Sequence, residues 1–512
     1  MCATDKQLEK TYVAITIGPI IKTMEMAPSP AALWASSYLF SFISKSLLQE
    51  LQNRGVKWNE FISPYANKAI LNRDDGLGLL HDRLIFEKPN GFSMKDLKDI
   101  RDQVLEKVAK TFGIDLPFLK KYVLIRAVEY TAENPILGCG KMLDSVELAE
   151  PIVPKEEEKK GNPILSLFTN ENNNEARNEE IKRLRVNLGI ESENWQLLDD
   201  AGKVKDLPAI AKGKVSSVEW KRHAYYAVVR SDGDNMGKLI GSLCVEEGKE
   251  DKFENFHEFS KACLKFCVEV AKKVDDYDGM TVYAGGDDLL AILPCDASAD
   301  GTKTVFHFLR DANQVFQNAF KQYTNPEPSL TFGVTLCHRK YPLYEALADS
   351  ANLLFGAKGK GYKNAVNLRL IKHSGQTNAV FMKNKVLAED KFFNLLDRIA
   401  SSGDKENTDR AILSCLHTVR EFGALFQQAD KNNVHDLFIN MFDSDAHVGN
   451  EFLHKELPDL YESYCLEEDI CALNDKGGKV VLDASKKADS AASLHYLLRV
   501  LKFFVERAGE QE

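Results

Sequence analysis

Residues 283–290 read Tyr283-Ala284-Gly285-Gly286-Asp287-Asp288-Leu289-Leu290. Strand-forming residues flank them, Met280–Tyr283 before and Leu289–Leu293 after. The stretch therefore reads as a β-hairpin with two adjacent carboxylates on a glycine turn. Gly285 and Gly286 allow the tight turn and leave room for phosphate to approach the backbone. Asp287 and Asp288 are expected to point to opposite faces, so that one binds metal while the other supports it or holds a second ion. On their own the four letters also suit an ordinary solvated turn.

A second acidic loop changes the balance. Ala224–Arg230 reads as a strand and runs into Ser231-Asp232-Gly233-Asp234-Asn235-Met236-Gly237-Lys238, a pair of carboxylates at a strand end entering a helix. Two-metal phosphoryl transfer needs carboxylates from separate strands meeting at one point. Mg²⁺ takes one or two carboxylates plus substrate phosphate oxygens. Loop amides near Gly233 and Gly237, at a helix N-terminus, suit phosphate. A plain Asp-Gly turn is the bland alternative.

A third segment fits the same site. Ser329–Cys337 reads as a strand, and Leu343–Ala357 as a helix with Leu343, Leu347, Ala351 and Leu354 on one face. The helix ends at Lys358, a candidate to neutralise a triphosphate or simply a favourable cation at a helix C-terminus. A final strand, Ala365–Ile371, completes the order strand–helix–hairpin–helix–strand–helix–strand of a ferredoxin-like palm.

In chain order, SDGDNMGKL, YAGGDDLLAILP, TFGVTLCHRKYPLYEALADSANLLFGAKGKGYKNAVNL and IKHSG resemble the active palm of the large polymerase-like subunit of type III CRISPR effector complexes. Ile17-Gly18-Pro19 and Leu33-Trp34-Ala35-Ser36-Ser37-Tyr38-Leu39 resemble the first, non-catalytic palm of its Cmr-type (III-B) form. The likeness covers roughly residues 10–90 and 220–375. It implies that Asp287 and Asp288 bind two Mg²⁺ or Mn²⁺ ions, with Asp232 or its neighbour Asp234 completing the site. Gly285, Gly286 and Lys358 would meet the nucleotide. It also implies ATP as substrate, S-adenosylmethionine as a possible second substrate, and other Cmr-type subunits, guide RNA and target RNA as partners. Diguanylate cyclases share the palm, but their signature continues with Glu-Phe after the glycines and an acid, where this chain has Asp288-Leu289.

Composition bounds the rest. A chain of 512 residues suggests roughly three or four domains. The expected fold is α+β: a first palm over 1–110, a helical and linker region over 111–215, the catalytic palm over 216–375 and a helical domain over 376–512. Lys155–Lys160 and Asn170–Asn174 read as a flexible insertion. The net charge of −10 restricts any RNA contact to local patches. There is no long apolar run for a membrane span and no signal-peptide pattern, so the expected compartment is the cytoplasm. The ten cysteines show no Cys-x-x-Cys spacing, so no zinc is expected.

His81-Asp82 sits in Gly78-Leu79-Leu80-His81-Asp82-Arg83-Leu84, without the partner histidines of the metal-dependent nuclease domain that many relatives carry. It reads as a loop before a strand, and no nuclease activity is expected. Asp82, Asp74 or Asp75 could instead touch a second substrate, where a carboxylate favours a cationic group over a second triphosphate. Three function classes remain: an enzyme making a nucleotide signal, either cyclic oligoadenylate or an AMP conjugate of S-adenosylmethionine; a catalytically silent scaffold; and a template-dependent polymerase. The Asp287-Asp288 pair and Lys358 oppose the scaffold, since buried carboxylates cost desolvation energy.

Overall fold

The computed structural model describes residues 10–506 apart from 74, 132–133, 148–161, 168–173, 191–194, 216–218, 246–253, 299–302, 360, 388–389, 402–404, 444–449, 466–470, 477–478 and 488–489. Asp74 and the Lys155–Lys160 insertion lie outside these residues.

The N-terminal unit is built from β1 (Thr11–Gly18), α1 (Ile20–Glu25), α2 (Pro30–Asn53), β2 (Phe61–Ser63), β3 (Arg83–Glu87), α3 (Met94–Phe112), β4 (Leu124–Thr131) and α4 (Pro135–Glu147). Its strands form an antiparallel sheet in the order β2-β3-β1-β4. Helix ends follow local chemistry. Ser29 caps α2 by accepting from Ala32 N, with Pro30 at the first helical position. Ser93 and Asp96 form a capping box on α3, and Gly113 ends it at φ +71°. The expected boundary at 110 cuts this sheet. Residues 124–131, read as part of a helical region, form strand β4, which pairs with β1 along its whole length. Each of its residues except the exposed Glu129 and Thr131 is half-buried, so it lacks the in-out alternation that announces a strand.

The second unit contains β5 (Tyr225–Asp234), α5 (Met236–Val245), α6 (Glu254–Asp276), β6 (Met280–Gly285), β7 (Asp288–Pro294), α7 (Val305–Phe320), β8 (Ser329–His338), α8 (Leu343–Gly359), β9 (Ala365–Ile371) and β10 (Thr377–Lys383). Its six-stranded sheet runs β10-β9-β8-β5-β7-β6, parallel only between β8 and β9. β10 extends this sheet past residue 375. Odd-numbered β5 residues Ala227 and Val229 join a core with α6 and α7, whereas Tyr226 and Val228 join the core that contains α2. α2 is thus buried between the units, and nearly all its faces are covered. Small Ser36, Ser37 and Ser44 let the neighbouring elements approach it.

The C-terminal region is mostly helical, ending in α9 (Ser490–Val505). It also holds an antiparallel hairpin, β11 (Cys471–Lys476) and β12 (Lys479–Lys487), where helix had been expected. α9 is tied to the second unit through Arg222. This side chain is fully buried, bonds Asp296 Oδ2 at 2.6 Å and donates to the Phe504 carbonyl.

Candidate active site

Three elements of the second unit converge: the end of β5, the β6–β7 turn and the end of α8. Gly285 pairs with Asp288, so Gly286 and Asp287 are the two central turn residues, and Gly286 takes φ +68°. Asp287 therefore stands at the tip, while Asp288 is the first residue of β7. Ser231 pairs with Leu289, which leaves Asp232 and Asp288 as the next residues on adjacent strands.

The carboxylates crowd one another. A Cβ on Gly233 would fall 2.6 Å from Asp287 Oδ2, so only glycine leaves room for the turn to close on β5. Burial, then the nearby Asp232 charge, pushes the Asp287 carboxyl up to about 6. Asp288 is raised further, by desolvation of its carboxyl within the cluster and then by Asp287 and by Asp232, with which it shares a hydrogen bond, although the residue keeps an exposed surface. Tyr283 packs over Gly285, and its hydroxyl donates to the Gly285 carbonyl at 3.4 Å.

Lys358 and Asp234 differ from expectation. Lys358 Nζ does not stand free for phosphate. It is ion-paired with Asp232, donates to the Gly233 carbonyl at 2.8 Å and lies 3.4 Å from Asp234 Oδ1. Asp234, the alternative to Asp232 for completing the metal site, is fully buried and turned inward. Its Oδ2 accepts from Ser329 Oγ at 2.8 Å, Thr331 Oγ1 at 2.7 Å and Asn364 N at 2.9 Å. Asp234 thus locks β5, β8 and the loop after α8 together, and this hold positions Lys358. Sequence gave no sign of this, because the three donors come from positions about 95 to 130 residues away.

Among the described residues, no set of three His, Cys, Asp or Glu side chains is already arranged around a metal. The donor set nonetheless fits a divalent cation. Asp232, Asp287 and Asp288 are hard oxygen donors, and the raised proton affinities of Asp287 and Asp288 mark a cluster short of positive charge. Lys358 is the cation standing at Asp232 now.

Asp82 shares a cavity with this site. A space of about 490 Å³ opens between the two units, with Asp82 and His81 on one side and Asp287, Asp288 and Tyr283 on the other. Phe256 and Phe259 of α6 are among its apolar walls. Burial pulls the His81 ring down to about 4, so it is neutral at pH 7. Burial also raises the Asp82 carboxyl. Arg83, on the same wall, is held by Glu147 at 2.5 Å and Asp144 at 2.6 Å. Asp75 lies elsewhere, ion-paired with Arg73. Cys263 and Cys267 are buried and line the cavity, with Cys267 Sγ donating to the Gly286 carbonyl at 3.4 Å.

The family described as Cas10/Cmr2, second palm domain, matches residues 225–367. The CRISPR system Cmr subunit Cmr2 of Pyrococcus furiosus is 29% identical over 170 residues, covering 30% of this chain and 19% of that protein. The chain thus matches about a fifth of the length of that curated relative. The fold of a chain in the type III-B Cmr-beta complex, solved in its apo state, covers 97% of this chain and 82% of its own length at 12% identity, with a TM-score of 0.57. A Csm1–Csm4 cassette solved in complex with one ATP covers 97% and 70%, at 12% identity and a TM-score of 0.53. Residues 225–367 therefore match the Cas10/Cmr2 second palm domain, and the chain shares its α+β fold along nearly its whole length with a chain of the type III-B Cmr-beta complex.

Proposed function

We propose that this chain is the nucleotidyltransferase subunit of a Cmr-type CRISPR effector, making a nucleotide second messenger from ATP. The observation that carries the reading is the convergence of Asp232, Asp287 and Asp288 on a glycine-lined turn, with carboxyl groups that burial and mutual repulsion leave short of positive charge. An acceptor 3′-hydroxyl oxygen bonds to the α-phosphorus of ATP, the bond to the bridging oxygen breaks, pyrophosphate leaves and the hydroxyl proton passes to water. Two Mg²⁺ or Mn²⁺ ions held by Asp232, Asp287 and Asp288 would, when bound, activate that hydroxyl and stabilise the leaving group. Gly233 and Gly286 keep the approach open, and Asp234 holds the β5 end in place through its three donors. The Csm1–Csm4 cassette that binds ATP has the same fold, which supports ATP as donor.

The cavity bears on the acceptor. On the wall opposite the metal-binding acids, Asp82 meets no free cation among the described lining residues, because Arg83 is engaged by two acids and His81 is neutral. A second triphosphate would be repelled there, whereas the cationic sulfonium and amino groups of S-adenosylmethionine would be attracted. This favours an AMP conjugate of S-adenosylmethionine over cyclic oligoadenylate. The chain would work in the cytoplasm with other Cmr-type subunits and guide RNA, and would be switched on by target RNA.

The test uses the assembled complex with target RNA, supplied with radiolabelled ATP alone or with S-adenosylmethionine, and products identified by mass spectrometry. A product needing both substrates is expected. Cyclic products indifferent to the cofactor would reject the conjugate. Product formation undiminished in Asp287→Ala/Asp288→Ala would reject the catalytic assignment and leave the scaffold reading.

A further inference from the structure

Along β5 the side chains of Tyr226 and Val228 enter the core beneath α2, and by the same alternation Arg230 and Asp232 follow on that face. Arg230 pairs with Leu290 of β7 on one side and Gly333 of β8 on the other, so it sits mid-sheet. An apolar residue would be ordinary there. A guanidinium is costly unless something compensates it. Its Nε is buried without a hydrogen-bond partner. Glu25, at the end of α1, and Asp288 are the acids close enough to act on it. Neither acid makes a hydrogen bond to it among the described contacts. The other cation of this face, Lys358, is already spent on Asp232, the Gly233 carbonyl and Asp234.

We propose that Arg230 binds the polyphosphate of the nucleoside triphosphate, the role that sequence alone gives to Lys358. The proposal rests on the reading of ATP as donor. A polyphosphate drawn to the Asp232–Asp288 edge carries several negative charges into a site rich in carboxylates, and it needs a cation that is not already paired. A planar guanidinium meets phosphate oxygens through two parallel N–H donors, which a lysine cannot do. Its place beside Asp288 puts it within the reacting end of the sheet.

The test measures equilibrium binding of a non-cleavable ATP analogue and of adenosine to the assembled complex, in the parent, Arg230→Met, Arg230→Lys and Glu25→Gln. Arg230→Met should weaken the analogue roughly 10- to 100-fold and leave adenosine unchanged. Arg230→Lys should fall between, and Glu25→Gln should bind as the parent or tighter. Equal binding of the analogue by Arg230→Met and the parent overturns the assignment alone. So does a loss reproduced by Glu25→Gln, which would make Arg230 a bridge between α1 and the sheet, or a loss shared in proportion by adenosine. A parent that does not bind the analogue overturns the ATP reading and this assignment together.

Discussion

Replacing Asp287 with asparagine should stabilise the metal-free protein at neutral pH. The carboxyl at the turn tip is half-buried against Gly233, beside Asp232, and is pushed up to about 6 from an ordinary value near 3.8. The folded chain therefore holds this proton more tightly than the unfolded chain does. Stability from this group is fully present below pH about 4 and is lost as pH rises through about 6. At about 1.36 kcal/mol per tenfold change in proton affinity, the loss approaches 3 kcal/mol. Asp288, also raised, adds in the same direction. Asparagine keeps the shape and has no proton to lose. With chelator present at pH 7.5, Asp287→Asn should melt on the order of 5–10 °C above the parent, and the gap should shrink to roughly a third near pH 4.5 and close below pH about 4. Adding Mg²⁺ or Mn²⁺ at pH 7.5 should raise the parent melting temperature more than that of the variant. Thermal unfolding across this pH range, with and without chelator, measures both effects. A metal-free parent with flat stability between pH 4 and 6.5, or an asparagine variant less stable at pH 7.5, would refute the crowded-carboxylate argument.

Three further outcomes follow from the packing. A Cβ on Gly333 would overlap the Ser350 carbonyl and the Leu354 backbone of α8, so Gly333→Ala should cost about 1–3 kcal/mol in denaturant unfolding, and an unchanged midpoint would contradict the close β8–α8 contact. Asp234→Ala leaves Ser329, Thr331 and Asn364 without their acceptor and should lower stability by about 2–4 kcal/mol, opposite in sign to Asp287→Asn; a gain would show that Asp234 is an exposed ligand rather than a lock. Asp296→Ala strands the buried Arg222 and should cost about 3–5 kcal/mol, with faster amide exchange in α9; protection of α9 unaltered by the change would rule out this tie.

Local rules carried the site a long way. Turn glycines, strand runs and the spacing of Leu343, Leu347 and Leu354 place the hairpin, β8 and α8 within a residue or two of where they lie, because each signal is complete within a few neighbours; the acidic segment read as a loop after Arg230 instead continues strand β5 to Asp234, where pairing with β8 holds it. The α+β palm follows from their order. What the chain hides depends on partners distant in sequence. β4 is half-buried apart from the exposed Glu129 and Thr131 and declares itself only by pairing with β1, and the β11–β12 hairpin is visible only once its two strands meet. Asp232 and Asp234 look alike as letters. Alternation along β5 does not separate them, and it is Ser329, Thr331 and Asn364 that bury one while Lys358 pairs with the other. The cavity that joins Asp82 to Asp288 exists only once residues of both units, Phe256, Phe259 and Cys263 of α6 among them, come together around it. Residue types set which chemistry is available; long-range packing decides which charges are spent on one another and which remain for a ligand.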